Sequence, residues 1–137
     1  MAIGLVIVSH SAKLAEGVAE LAGQMAQGKV VIATAGGTAD GSLGTAMEKV
    51  LAALRLADSV DGILVLLDLG SAVMTTEMAV EAFTTEQQSR RIIISPAPLV
   101  EGAVIAAVEA SIGNSLDEVA AAAANAHMLP KLSDQHS

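Results

Sequence analysis

The sequence contains no cysteine, tryptophan or tyrosine, and its single aromatic residue is Phe83. The absence of cysteine excludes disulfide bonds and thiol chemistry, which fits a cytoplasmic protein. Without indole and phenol rings the chain offers no platform on which nucleic-acid bases or a flavin could stack. Because 53% of the 137 residues are hydrophobic, we expect a core built from aliphatic side chains.

Basic residues are also scarce, with seven lysines and arginines against 15 acidic residues and a formal net charge of −8. An acidic chain without a cluster of basic side chains is a poor ligand for nucleic acid, so we expect no such partner. No apolar run approaches the ~18 residues of a membrane span, and no basic start precedes a long apolar segment as in a signal peptide. We therefore expect a cytoplasmic protein that does not insert into a membrane.

Short apolar runs alternate along the chain with segments of helical periodicity. The runs occupy residues 3–8, 30–33, 63–67 and 92–94. Runs that are apolar at every position are typical of strands covered on both faces, as in a parallel sheet. The order β-α-β-α-β-α-β-α-α therefore predicts a single α/β domain. We expect an open, mostly parallel, doubly wound sheet of about four strands with helices on both faces.

The first and last predicted helices carry the clearest helical signals. In the first helix, four apolar residues recur at spacings of four and three, and we expect them to form one buried stripe. These residues are Leu14, Val18, Leu21 and Met25. In the last helix, Ser115 and Glu118 have the spacing of a capping box. Pro130 should end that region, so we expect a domain over residues 1–125 and a flexible tail over residues 126–137.

His10 stands directly after the first predicted strand, where a helical pattern begins. Open α/β sheets bind ligands at the carboxyl ends of their strands. Histidine also has the unperturbed pKa nearest to physiological pH, so its neutral ring offers an unprotonated nitrogen there. The alternative is an ordinary polar loop residue, and position alone does not separate the two.

Asp68 follows the third predicted strand. Strands one and three are neighbours in many doubly wound sheets, so its carboxylate could accept the Nδ1 proton of His10 and fix the tautomer of the ring. The alternative is a turn or cap residue before the third helix.

Residues 35–42 form a glycine-rich loop after the second strand. Glycines let backbone N–H groups approach a phosphate, although a flexible connector has the same composition. The loop is not a P-loop, because Ser42 and Leu43 stand where a lysine and a hydroxyl residue are needed. Ser11 and Ser71 each stand where a helix should begin, either as simple caps or as anion-binding donors. No group of His, Asp and Glu has metal-ligand spacing, so we expect no metal and no cofactor.

These features share one edge of the predicted sheet. They combine a nucleophilic imidazole, an orienting carboxylate and two helix N-termini. Such a set could carry a phosphoryl group on a histidine.

Three segments resemble a known family: residues 4–11 (GLVIVSHS), Gly36-Gly37-Thr38 with Gly44-Thr45, and residues 67–72 (LDLGSA). They are similar to the phosphocarrier subunits of phosphoenolpyruvate-dependent dihydroxyacetone kinases, which have the fold of mannose-type enzyme IIA. The resemblance covers roughly residues 1–125.

The resemblance implies a specific role for this chain. His10 would be phosphorylated on Nε2 by the phosphocarrier HPr, which is charged from phosphoenolpyruvate through enzyme I, while Asp68 would bind the other ring nitrogen. The group would pass to ADP held in the nucleotide-binding kinase subunit, and then to dihydroxyacetone. The chain would thus be a phosphotransferase component that works only with its partners, and family members are homodimers. The expected phosphate-binding residues are Ser11, Gly37, Thr38, Gly70 and Ser71.

Three alternatives remain open from the sequence. One is a mannose-type IIA subunit that delivers phosphate to a membrane sugar permease. Another is a receiver-type signalling module with Asp68 as phosphoacceptor, although Ser9 and His10 stand where its acidic Mg²⁺-binding pair would be needed. The third is a non-catalytic regulatory or interaction module, which would carry no phosphate.

Overall fold

The computed structural model describes residues 2–132, which form a four-stranded parallel sheet in the order β2-β1-β3-β4. The strands are β1 (Gly4–Ser9), β2 (Ile32–Gly36), β3 (Ile63–Leu67) and β4 (Ile92–Ile94). The helices are α1 (Ala12–Met25), α2 (Met47–Leu56), α3 (Ala72–Glu86), α4 (Leu99–Ser111) and α5 (Leu116–Ala124), followed by a short 3₁₀ helix (Asn125–Met128). The predicted fold class and element order are confirmed. Within the described residues, no helix is long and apolar enough to cross a membrane.

Side chains of the central strands alternate between two aliphatic cores, one on each face of the sheet. Leu5 and Ile7 of β1 join the core that α1, α4 and α5 cover. Val6 and Val8 join the core beneath α2 and α3, which also contains Phe83. Because both faces are covered, a central strand must be apolar at every position, which explains the continuous runs in the sequence.

Strand register brings three loops to one place at the carboxyl edge of the sheet. Val8 pairs with Leu67 of β3, and Ser9 pairs with Gly36 of β2. The residues that follow these strands therefore emerge side by side. The edge holds the ends of β1, β2 and β3, where the sequence predicts a site.

The second strand lies further along the chain than predicted. The sequence predicts residues 30–33, whereas β2 spans Ile32–Gly36. Val31 instead leads into the strand, and its carbonyl accepts a hydrogen bond from the amide of Leu5 at 3.0 Å. The polar Thr34 masked this extension, because β2 is an edge strand and its residues need not all be apolar.

The predicted buried stripe of α1 is wrong in three of its four residues. Leu14, Leu21 and Met25 are 42%, 44% and 53% exposed. The small side chains on the inner face let α1 lie close to the sheet, which leaves the larger side chains at its margin. The buried residues of α1 are Ala15, Val18 and Ala22.

The predicted capping box is present at the start of α5. The Glu118 amide donates to Ser115 Oγ at 3.2 Å, and the Ser115 amide donates to Glu118 Oε1 at 2.8 Å. Beyond α5, Ala126 is only 2% exposed, and Lys131 Nζ lies 3.2 Å from Glu101 Oε2. Packing thus continues past residue 125, where the tail was expected to begin; the end of that tail, residues 133–137, lies outside the described residues.

Gly4 occupies a position in β1 that has no room for a side chain. A Cβ at this residue would lie 1.9 Å from the carbonyl oxygen of Ala57. Since such overpacking forces the backbone to shift, we expect Gly4→Ala to lower the free energy of unfolding by about 2–3 kcal/mol in urea titrations. Gly17 is the matched control, because a Cβ in that part of α1 meets nothing within 4 Å. Gly17→Ala should be neutral or stabilise by up to ~1 kcal/mol, and equal stabilities of the two variants would contradict the prediction.

Candidate functional site at the carboxyl edge of the sheet

His10 lies in the turn between the end of β1 and the start of α1, with its side chain 26% exposed. The turn is held by the next residue, Ser11, whose hydroxyl accepts a hydrogen bond from the Leu14 amide at 3.2 Å. Ser11 therefore caps α1, which is the first of its two predicted roles. The cap and the strand end fix the backbone on both sides of the histidine.

Asp68 accepts four hydrogen bonds, as many as an ionised carboxylate can take. Oδ1 lies 3.0 Å from His10 Nδ1 and 2.7 Å from the Leu69 amide, and Oδ2 lies 2.9 Å from both the His10 amide and Ser9 Oγ. A carboxylate only accepts, so Nδ1 carries the ring proton. The remaining nitrogen of a neutral His10 ring, Nε2, is then unprotonated and has the free lone pair of a nucleophile.

The environment of Asp68 keeps its carboxylate charged. Burial alone would raise the pKa of Asp68, but the hydrogen bonds from the His10 backbone and ring, from Ser9 and from Leu69 outweigh it, so the pKa lies below its usual value. The side chain is only 12% exposed. Asp68 can therefore hold the Nδ1 proton and offset positive charge on the ring at neutral pH.

Ser9 is a further functional candidate, which sequence reasoning did not identify and which lies directly before His10 at the end of β1. Ser9 is fully buried, donates to Asp68 Oδ2 and accepts from the Ser11 amide at 3.0 Å. It thus connects the carboxylate to the backbone of Ser11, the residue that caps α1. The available signal was a hydroxyl at the end of an otherwise apolar buried strand, where an unsatisfied polar group would be costly.

Ser71 reaches the nucleophilic nitrogen directly, with its hydroxyl oxygen 2.9 Å from His10 Nε2. In the neutral ring whose Nδ1 donates to Asp68, Nε2 is unprotonated, so the hydroxyl is the donor in this contact. Ser71 directly precedes α3 but makes no side-chain cap, which leaves its hydroxyl free for the ring. The structure therefore brings His10, Asp68 and Ser71 into one hydrogen-bonded chain.

The backbone before α3 offers further donors. Among residues 2–132, the amides of Gly70 and Ser71 donate no hydrogen bond. They stand at the start of a 15-residue helix, where free amides and the helix dipole favour an anion. Both predicted donors are thus free, and they belong to Ser71, whose hydroxyl contacts Nε2, and to the residue before it.

The glycine-rich loop is fastened beside His10 through its backbone. The Gly37 amide donates to the Ser9 carbonyl at 3.1 Å, and the Gly44 amide donates to the His10 carbonyl at 2.8 Å. Gly36 packs so tightly that a Cβ there would lie 2.6 Å from Ala12 Cα. The loop therefore supports the turn that carries the histidine.

Within the loop, the two predicted phosphate-binding residues already have protein partners. The Gly37 amide donates to the Ser9 carbonyl. The Thr38 amide donates to the Ser42 carbonyl at 2.9 Å, and the Thr38 hydroxyl donates to Asp40 Oδ1 at 2.5 Å. Hydrogen bonds from the Thr38 side chain and from Ser42 lower the pKa of Asp40 to about 2. The loop is thus closed on itself, whereas the donors at α3 are open.

The site has the groups needed to accept and release a small electrophile. A carboxylate at Nδ1 orients the ring, a hydroxyl contacts Nε2, and two free amides belong to that hydroxyl's own residue and the one before it. In the part of the chain that the structure covers, no three His or acidic side chains are placed to hold a metal ion. A cleft of about 430 Å³, lined in part by Asp68, lies between the loops that follow β3 and β4.

The lowered pKa of Asp68 predicts a specific pH dependence of stability. A carboxylate whose pKa is depressed on folding stabilises the protein above its unfolded value of ~3.9, and this contribution disappears as the pH falls through the folded value. We expect Asp68→Asn to destabilise the protein at pH 7 by about 1–3 kcal/mol, because the amide cannot accept four hydrogen bonds. Urea titrations at pH 7, 4 and 3 should show that the difference in free energy of unfolding between the wild type and Asp68→Asn becomes smaller as the pH falls. A difference that stays constant would contradict the ionised state assigned to Asp68.

The chain is similar in sequence to known proteins. The sequence profile described as PTS system fructose IIA component (EIIA-man) matches residues 4–120. A relative from Listeria innocua, "PEP-dependent dihydroxyacetone kinase 2, phosphoryl donor subunit DhaM", is 38% identical over 131 residues, covering 91% of this chain and 99% of the relative. The subunit of that type from Escherichia coli K12 is 39% identical over 120 residues, but the match covers 85% of this chain and only 25% of the relative. The chain therefore corresponds to about a quarter of some relatives.

Solved structures agree with the fold. The crystal structure of unknown function protein EF1359 is 37% identical, with a TM-score of 0.79 over 91% of this chain and 95% of that one. The phosphotransferase system component EIIA from Streptococcus agalactiae is 18% identical, with a TM-score of 0.67 over 92% of each chain, and shows the shared fold alone. The matched profile spans β1 to α5 and includes His10, Asp68 and Ser71. This chain belongs to the EIIA-man family, the PTS system fructose IIA components.

Proposed function

We propose that this chain is a phosphohistidine relay, the phosphoryl donor subunit of a dihydroxyacetone kinase. It takes a phosphoryl group from HPr onto His10 and passes it to ADP bound in the nucleotide-binding subunit, from which dihydroxyacetone is phosphorylated. The observation that carries the proposal is the environment of Nε2, oriented through Asp68 and faced by the Ser71 hydroxyl. The names of the L. innocua and E. coli relatives support the same role.

In the charging step, the Nε2 lone pair attacks the phosphorus of the charged donor. The new N–P bond forms as the bond between phosphorus and donor breaks, and the donor keeps that electron pair. Asp68 holds the Nδ1 proton throughout and offsets the positive charge that the ring gains. The Ser71 hydroxyl, released from Nε2, turns to a phosphoryl oxygen, and the Gly70 and Ser71 amides bind the others.

In the discharging step, an oxygen of the terminal phosphate of ADP attacks the phosphorus. The N–P bond breaks, its electron pair returns to Nε2, and ATP forms in the partner subunit. The side chains at the site supply positioning and hydrogen bonds rather than a cationic clamp. This suits a group that must leave again, since phosphoryl transfer depends mostly on positioning and charge stabilisation.

The remaining parts of the proposal follow from the same role. The chain is the phosphotransferase component of a multi-subunit enzyme, works as a homodimer in the cytoplasm and needs no cofactor of its own. Residues 1–125 carry the relay. The match to nearly the whole length of the L. innocua subunit supports a unit of this size, and light scattering of the purified protein would test the dimer.

The central experiment follows labelled phosphate through the chain. The protein is incubated with ³²P-phosphoenolpyruvate, enzyme I and HPr, and an acid-labile label should map to His10 by mass spectrometry. Addition of the ADP-loaded kinase subunit should then yield labelled ATP, and omission of HPr should prevent charging. Label that passes to sugar permease components instead would indicate a mannose-type subunit. A complete lack of label would overturn the proposal.

A further inference from the structure

We propose that Thr45 and Thr75 are positioning residues for phosphoryl transfer, acting as a hydroxyl clasp that holds the start of α3 against the turn of His10. Their Oγ1 atoms lie 3.0 Å apart, and both side chains are half-buried. One lies between the glycine-rich loop and α2, and the other lies in the first turns of α3. This inference rests on the proposed function and adds two residues whose hydroxyl groups bond to each other rather than to His10.

Each threonine belongs to a different segment that contacts His10. Thr45 follows Gly44, whose amide donates to the His10 carbonyl at 2.8 Å. Thr75 lies four residues after Ser71 and therefore on the same face of α3, one turn along the helix. Since Ser71 contacts His10 Nε2, the clasp joins the segment that holds the His10 backbone to the helix whose start faces the His10 ring.

The start of α3 lacks the side-chain cap that commonly stabilises the first turn of a helix, so a hydrogen bond from elsewhere is needed to hold it in place. Ser71 makes no side-chain cap. Apart from the Ser71 contact with His10 itself, the clasp is the one side-chain hydrogen bond, within residues 2–132, that joins the first three turns of α3 to a residue outside the helix. At its far end, α3 is held to α2 by the exposed pair of Arg55 with Glu86.

The position of α3 along its axis sets the distance from the Ser71 hydroxyl and the free amides of Gly70 and Ser71 to Nε2. Phosphoryl transfer is sensitive to small displacements of such donors, and misplacement of about 1 Å can cost ~10²-fold in rate. The clasp should therefore act on the rate of transfer rather than on the binding of partner proteins. This distinguishes it from a contact that contributes only to stability.

The test compares Thr75→Val, Thr45→Val and the double variant in steady-state phosphoryl transfer from HPr through this chain to the ADP-loaded kinase subunit. We expect each single variant to lower kcat by about three- to tenfold, the effect of one lost hydrogen bond, with KM for HPr unchanged. The double variant should lose no more than either single one, since all three lack the same bond. Thr75→Ser keeps the hydroxyl and should restore the rate.

The matched control is Thr85→Val, which removes a hydroxyl from the same helix that bonds only to the Glu81 carbonyl of its own helix, at 3.0 Å. It should charge at the wild-type rate. Wild-type protein charged in parallel separates the two proposals, because a wild type that takes no label refutes the relay itself. If the wild type is charged, a wild-type rate for Thr75→Val and Thr45→Val, or losses that add in the double variant, would overturn the clasp. Should Thr75→Val fail to fold, Thr45→Val and Thr75→Ser still decide the question.

Discussion

His10→Ala should take up no label from phosphoenolpyruvate, a loss limited only by the detection of the assay. Alanine removes the nitrogen that forms the N–P bond, and the Asp68 carboxylate is a poor replacement, since the Ser9 hydroxyl and the backbone amides at positions 10 and 69 still occupy three of its four acceptor positions. The fold should survive, because the His10 ring is partly exposed and lies outside both cores. Autoradiography after incubation with enzyme I and HPr measures the result.

The matched control is His127→Ala. His127 is exposed, and its Nδ1 lies 2.9 Å from the Ala124 carbonyl in the short helix that follows α5. Among residues 2–132, no carboxylate forms an ion pair with this ring as Asp68 does with that of His10. This variant should be labelled like the wild type, whereas label on His10→Ala would show that the phosphoryl group is carried elsewhere.

Asp68→Ala should slow charging and discharging by about 10- to 100-fold, the range for removing the residue that orients a functional histidine. The variant loses the acceptor that fixes the Nδ1 proton, so the ring can adopt the other tautomer and rotate. It also loses the negative charge that offsets the positive ring during transfer. Rapid-quench measurements of label on His10 separate this rate from the affinity for HPr, which we expect to stay the same.

Asp61→Ala provides the comparison for loss of a carboxylate, because Asp61 is exposed in the turn before β3, at the opposite end of the strand. It should transfer at the wild-type rate. If Asp68→Ala also transfers at that rate, Asp68 has no role in orienting the ring. If it fails to bind HPr, its role is in docking.

The fold was predictable because two signals agreed along most of the chain. Continuous apolar runs marked β1, β3 and β4, and segments with helical spacing marked the helices between them. The errors arose where packing overrides pattern. The polar Thr34 hid the extension of β2, and the alanines of α1 face the core although leucine and methionine dominate its hydrophobicity. Sequence periodicity shows which residues are apolar, but the distance between helix and sheet decides which of them are buried.

The sequence predicted most of the residues of the site, but not the hydrogen bonds that connect them. The pairing of His10 with Asp68 followed from the adjacency of β1 and β3, and it is the geometry found. The structure was needed to show that Ser71 approaches Nε2 and that Thr38 is occupied within its own loop. Hydrogen bonds between loops depend on backbone turns whose geometry local sequence does not specify, which is also why Ser9 was missed.

The Ser71 hydroxyl at Nε2 has a thermodynamic consequence for the proposed relay. At rest the hydroxyl donates to the ring nitrogen, and in the charged protein it would donate to the phosphoryl group on that nitrogen. Charging thus exchanges one hydrogen bond for another instead of adding a new one, which limits how far this contact favours the charged state. The direction of transfer would then follow the relative amounts of charged donor and ADP, and the same protein could run in reverse when ATP accumulates.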